Sequence, residues 1–279
     1  MPIGGQAVIE GVLIADGERA ILAVRGHDGR VVVEPLPFPK FPRLERTPFL
    51  RGPIKLYQLL SLGLRALERS AEIAYPEEKS TGWDFVLAVG LALVLLVGGF
   101  IALPFFLATR VGLENQILLN LLEGGIRLAF FILYIWGISF LPDVRRVFQY
   151  HGAEHKAVHA YEAGAPELSV ALRQSPIHAR CGTNFIFLFV AVAVLVFSLI
   201  PAHTFWLRLL ARVGLIPVVA SLTYELLMLG ARTPWLRPFL WPGLLFQKLT
   251  TREPTPDQVE VALAAVRQVA SARNSSATE

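Results

Sequence analysis

Four long apolar runs constrain this chain more than anything else in it. Phe85–Leu107 and Ile117–Leu141 each exceed the about 20 residues a helix needs to cross a hydrocarbon core of about 30 Å. Asn184–Ile200 is at the short end, and Val213–Leu229 reaches span length when extended back through Phe205. Composition agrees: 54% of the residues are hydrophobic and 17% charged, with a mean hydropathy of +0.52. Soluble domains carry about a quarter charged residues. The expected fold class is therefore membrane α-helical, with about four transmembrane helices.

Charge distribution orients the runs. Arg145, Arg146, Lys156, Arg173 and Arg180 lie between the second and third, whereas the outer connections hold little beyond Arg110 and Arg208. By the positive-inside rule both termini and the central segment of a multi-pass membrane protein face the cytoplasm. The net charge of +4 reflects such loops rather than a nucleic-acid surface. A lone cysteine, Cys181, forms no internal disulfide and suits a reducing compartment. The opening MPIGGQAVIEG has no basic region leading into an apolar core, so no cleaved leader is expected.

The runs divide the chain into five parts. Residues 1–82 form an amino-terminal cytoplasmic or interfacial region. GERAILAV and RVVVEPL predict a β-hairpin turning at Asp28-Gly29. Pro35, Pro37, Pro39 and Pro42 then predict an extended connector. From Ile54 to Tyr75 the apolar spacing predicts an amphipathic helix, lying on the membrane face or packed on the soluble part. Residues 83–141 hold the first helix pair, 142–183 a cytoplasmic His/Cys loop, 184–231 the second pair, and 232–279 a tail. Tryptophans in the tail's proline-rich stretch suit an interfacial belt. A last helix is expected where Thr255, Pro256 and Gln258 make a capping-box start.

Chemistry concentrates in the central segment. His151, His155 and His159 stand four apart and share one helix face. Residues 151–155 read H-x-x-E-H, the inverted zincin pattern, with Glu154 as general base. The pattern is short, and chance matches are common. Further on, His178-Ala-Arg-Cys181 places an imidazole and a thiol at a spacing used in zinc turns. Taken singly, each is more ordinarily a surface histidine and a buried small hydrophobe. Together in one loop they point to a divalent metal, Zn2+ first because of the thiolate. Glu10, in GGQAVIEGV, is either a turn-flanked strand residue or a distant metal ligand. Glu225 lies inside the fourth run, where a carboxylate marks a ligand or proton carrier. Glu123 and Arg127 are four apart in the second run and read as a structural pair, with Arg208 or Arg212 available to join them. His27 and His203 are expected to be surface residues.

GGQAVIEGV, FQYHGAEHKAVHAYE, HARCGTNF and PGLLFQKLTTREPTPDQVEVAL together resemble the YqhQ family of bacterial membrane proteins, over nearly the whole chain. The resemblance implies an integral membrane protein described as a predicted metal-dependent enzyme. It carries over Glu10, His151, Glu154, His155, His178 and Cys181 as motif residues, with Glu123 and Arg127 in the EGGIR stretch. One departure is Val12-Leu13-Ile14, where related sequences tend to carry methionine.

The leading expectation is a membrane-embedded metal-dependent hydrolase acting at the cytoplasmic face on a lipid-linked or membrane-protein substrate. His151 and His155 bind the metal, with His178, Cys181 or Glu10 as a third ligand. The alternatives are a non-enzymatic protein with a four-ligand structural metal clamp or partner surface, and a small transporter using Glu225, Glu123 and Arg127. The lipid bilayer is the expected partner, nucleic acid is not, and an oligomer is compatible with all three.

Overall fold

Side-chain alternation along two short strands organises the amino-terminal part. In the computed structural model, which describes residues 3–77, 82–178, 181–200, 205–233 and 241–276, four antiparallel strands form a meander. They are β1 (Gly4–Val8), β2 (Gly11–Ala15), β3 (Ala20–Arg25) and β4 (Val31–Leu36). The expected hairpin is the β3–β4 pair, with Gly29 at φ +80° and the Asp28 side chain accepting from the Arg30 N–H. A single hairpin is thus corrected to a four-stranded sheet.

Both faces of the central strands are covered. Val12, Ile14, Ile21 and Ala23 pack on helices α5 (Pro142–Glu162) and α10 (Pro256–Ser276). Leu13, Ala20, Leu22 and Val24 pack on α1 (Arg51–Ala74) through Leu62, Ala66 and Ala74. Strands buried on both faces carry continuous apolar runs, so GVLIA and AILAV show no polar alternation. Truncating Ile14 to alanine would cost about 2–5 kcal/mol at such a site. The last helix begins as expected: the Thr255 N–H donates to the Gln258 side chain (2.9 Å) ahead of Pro256. It is no loose tail, since Val259, Ala262, Leu263 and Val266 are fully buried.

The apolar part holds α2 (Gly82–Val94), which runs through a π-helical stretch (Leu95–Ala102) into α3 (Leu103–Thr109). It also holds α4 (Gln116–Ile138), α7 (Gly182–Ser198) and α8 (Phe205–Arg232). Among the described residues, three stretches are long and apolar enough to cross a membrane: Gly90–Thr109, Gln116–Ile138 and Leu209–Gly230. The remaining run, α7, is a 17-residue helix, about 26 Å long at 1.5 Å per residue.

Within this part, buried Glu123 accepts from Arg127 Nη2 (2.5 Å) and pairs with Arg212 Nη1 (2.7 Å). Arg127 Nε also donates to the Phe100 carbonyl in the π-helical stretch (2.8 Å). His203, Arg180 and Trp235 lie outside the described residues, as does the side chain of Arg208.

Two further short α-helices among the described residues are α6 (Leu168–Ala171) and α9 (Trp241–Thr250). The segment between α9 and α10 presses against α5, where a Cβ on Gly152 would come within 2.2 Å of the Arg252 carbonyl oxygen. That contact fixes which face of α5 is left for chemistry.

Candidate metal centre

The segment expected as a His/Cys loop is mainly helix: α5 covers Pro142–Glu162 and carries three of the histidines in one row. Ala153, Ala157 and Ala160 are small enough to bring the helix close to its neighbours. His151, His155 and His159, four residues apart, then line one face towards residues 175–178 and the start of α7.

Backbone carbonyls set the two first imidazoles. His151 Nδ1 donates to the Thr250 carbonyl (2.8 Å), and His155 Nδ1 donates to the Pro176 carbonyl (2.6 Å). A carbonyl only accepts, so in each neutral ring Nδ1 bears the hydrogen and Nε2 holds the lone pair. His151 Nε2 lies 3.1 Å from Cys181 Sγ. His155 Nε2 is buried without a hydrogen-bond partner, although Glu154 Oε2 is 3.4 Å away. The donor atoms of His151, His155 and Cys181 all lie within 4.8 Å of one another.

Cys181 is the N-cap of α7, its sulfur accepting from the Thr183 N–H (3.3 Å). Burial pushes the thiol pKa up, while the Thr183 hydroxyl and the amides of Thr183 and Asn184 pull it down. Burial also raises the Glu154 carboxyl to about 8, against the opposing pull of His151 and the Gly5 N–H. His155 is pushed down to about 3 by burial and by the neighbouring histidines. His178 is pushed down to about 4, again by burial first and then by His159. Both rings are therefore neutral at physiological pH, which is the ligand form.

The expected four-donor set does not gather in one place. His178 falls in a second group with His159 and Glu162, its Nε2 3.4 Å from Glu162 Oε2. The cause is backbone placement: buried Gln247 accepts from the His178 N–H (3.0 Å) and donates to its carbonyl (2.9 Å). Glu10 is not drawn into either group. It occupies the β1–β2 turn at φ +52°, and its carboxylate takes Arg146 and the Tyr150 hydroxyl (3.2 Å), tying the sheet to α5. Glu225 pairs with Arg51 at the start of α1, and Glu123 and Arg127 belong to the apolar cluster. Glu162, Gln247, Thr250 and Pro176 escaped the sequence reading. Glu162 alone had a signal, three residues beyond His159 on the same helix face.

A cleft of about 490 Å³ reaches the first group. Leu60, Leu64 and Leu67 of α1, Phe131 and Ile135 of α4, and Phe246 of α9 line it together with His151 and Cys181. The same α1 stripe, with Tyr57, is otherwise exposed.

A family model described as protein of unknown function (DUF1385) matches residues 47–272. The uncharacterized protein YqhQ of Bacillus subtilis (strain 168) is 36% identical over 284 residues, covering 93% of this chain and 89% of that protein. No solved structure matches.

Proposed function

The chain belongs to the DUF1385 family and is YqhQ-like; from that premise we propose a membrane-embedded, metal-dependent hydrolase working at the cytoplasmic membrane face. The observation that carries this reading is the buried, partnerless Nε2 of His155, beside a His151 Nε2 and a Cys181 sulfur already within reach of one ion. Both imidazoles donate Nδ1–H to a carbonyl, the outer arrangement that metal-ligating histidines adopt. Three protein donors with a position left open is the pattern of catalytic zinc.

His151, His155 and Cys181 would hold Zn2+, which would supply Lewis acidity to a carbonyl or phosphoryl oxygen and to water. Glu154, 3.4 Å from His155 Nε2, takes a proton from the attacking water and returns it to the leaving group. Burial raises its pKa to about 8 in the metal-free chain, and a bound cation would draw it back towards the ionised form that a general base needs. The apolar cleft lined in part by His151 and Cys181 favours an amphiphilic, lipid-linked substrate whose chain enters beside α1. In this reading α7 is a fourth, short span, both termini are cytoplasmic by the positive-inside rule, and the exposed α1 stripe rests on the inner-membrane surface.

The test is metal content and hydrolysis by the detergent-purified chain. We expect about one ion to be lost in a His151→Asn/His155→Asn variant. Glu154→Gln should keep its metal and lose about 10²–10⁴ in rate on a panel of lipid-linked esters and phosphates. No bound metal after reloading, or full activity in Glu154→Gln, overturns the reading. Metal without turnover on any such substrate, unchanged by Glu154→Gln, indicates a structural clamp instead.

A further inference from the structure

The row of histidines does not end at the first donor group. Ring centroids step from His151 to His155 (4.4 Å), from His155 to His178 (5.8 Å) and from His178 to His159 (4.5 Å). At the far end the donor atoms of His159, Glu162 and His178 again lie within 4.8 Å of one another. The geometry points to a second, separate divalent-cation site, with two imidazoles and one carboxylate as ligands.

Three features of the group favour an ion over a simple ion pair. His178 Nε2 and Glu162 Oε2 are 3.4 Å apart, longer than the about 2.7–2.9 Å of a charge-assisted hydrogen bond. Two ligand atoms at about 2.0–2.1 Å from a tetrahedral ion stand about 3.4 Å apart. His159 Nε2 already donates to the Ile177 carbonyl (3.1 Å), which fixes that ring's tautomer in the way ligating histidines are fixed. His178 is held by the Gln247 clamp on both sides of its peptide. Both imidazoles are therefore preorganised before any ion arrives.

The two groups share no ligand, and their nearest rings, His155 and His178, stand 5.8 Å apart between centroids. The second site's place suggests what it does. It joins the end of α5 to residues 175–178, whose Pro176 carbonyl orients His155. An ion here holds that segment down and so sets the geometry of the first group. Glu162, with its side chain 32% exposed, gives the ion a route from solvent.

The experiment uses the full chain in detergent, stripped with chelator and reloaded with Zn2+ for counting, or with Co2+ for absorption. We expect two ions in the wild type and one in Glu162→Gln or His159→Asn/Glu162→Gln. The thiolate-to-cobalt band, which reports Cys181 alone, should survive in those variants. Cys181→Ser should lose the band and keep one ion. Two ions in the His159→Asn/Glu162→Gln variant, or one ion in the wild type whose band persists there, overturns the second site. One wild-type ion that Cys181→Ser retains and Glu162→Gln releases leaves this site standing and removes the first. Glu162 is partly exposed, so Glu162→Gln should leave the thermal unfolding profile of the metal-free chain unchanged.

Discussion

Two of the polar clusters in this molecule are finished differently. In the apolar part, the Glu123 carboxylate meets Arg127 and Arg212, and Arg127 spends its Nε on the Phe100 carbonyl. Along α5, His151 and His155 are each pinned at Nδ1 while the His155 Nε2 is buried with nothing to accept from. The first cluster shares its carboxylate between two guanidiniums and reads as architecture. The second keeps a lone pair waiting at a cost that a folded protein tolerates where a ligand is due. Charge alone does not separate a working site from a structural one; satisfaction of the donor and acceptor atoms does.

The sharpest way to break this contrast is Glu123→Gln. Losing one partner of a buried ion pair costs about 3–5 kcal/mol, because the arginines stay behind uncompensated. Thermal or denaturant unfolding in detergent should show that loss, while the molecules that remain folded keep their metal. If stability is unchanged, the cluster is not the closed structural element described; if metal is lost at constant stability, the two clusters are coupled.

A second test separates protons from metal. Burial holds His155 near 3 and His178 near 4, below the about 6.5 of the unfolded chain. A depressed histidine stabilises the fold above its unfolded pKa and loses that contribution as pH falls. Between pH 7.5 and pH 5 the two rings together cost about 4 kcal/mol. Glu154 works the other way. Raised to about 8, it binds a proton in the folded state and adds about 3 kcal/mol of stability over the same descent. The metal-free wild type should therefore lose only about 1 kcal/mol from these groups, and Glu154→Gln should expose the full histidine effect. Parallel pH profiles for the two proteins would show that Glu154 is not the buried proton carrier described.

What was legible beforehand follows the range of the interactions. Spans, the Asp28-Gly29 turn, the Thr255 start of α10 and the four-residue histidine spacing are local patterns, and each is visible in its own stretch. The sheet was only half visible, since Leu13 and Ile14 are both buried, on opposite faces. A continuous apolar run names no partner. The division of His178 from Cys181 was hidden altogether, although they are three residues apart. Gln247 decides it from 69 residues away, and nothing around a glutamine in LLFQKL announces that role. Glu10 shows the same limit: glycines flank it, but only the fold reveals that Arg146 and Tyr150 claim its carboxylate.

Gln247 is therefore the next point of attack. Gln247→Leu keeps the volume and removes both peptide contacts to His178 together with the Asn184 bond (2.9 Å). Outer-shell losses of this kind weaken metal binding about 10–100-fold. Competition with a calibrated chelator should show that weakening at the His159–Glu162–His178 group, with the Cys181 cobalt band less affected. Equal weakening of both groups would mean that the loop, rather than one histidine, is what Gln247 holds.

The smallest effect sharpens the comparison from outside. Arg69 meets Glu34 (2.7 Å) and Glu72 (2.8 Å), a set of contacts as short as those around Glu123. Its side chain is 46% exposed, however, so water and salt screen the attraction and compete for every donor. Arg69→Ala should cost about 0.2–1 kcal/mol, and the difference should shrink further in concentrated salt. Unfolding midpoints for Arg69→Ala and Glu123→Gln, measured side by side at low and high salt, put the argument in one experiment. If burial and completion distinguish the clusters, only the Glu123 effect survives the salt.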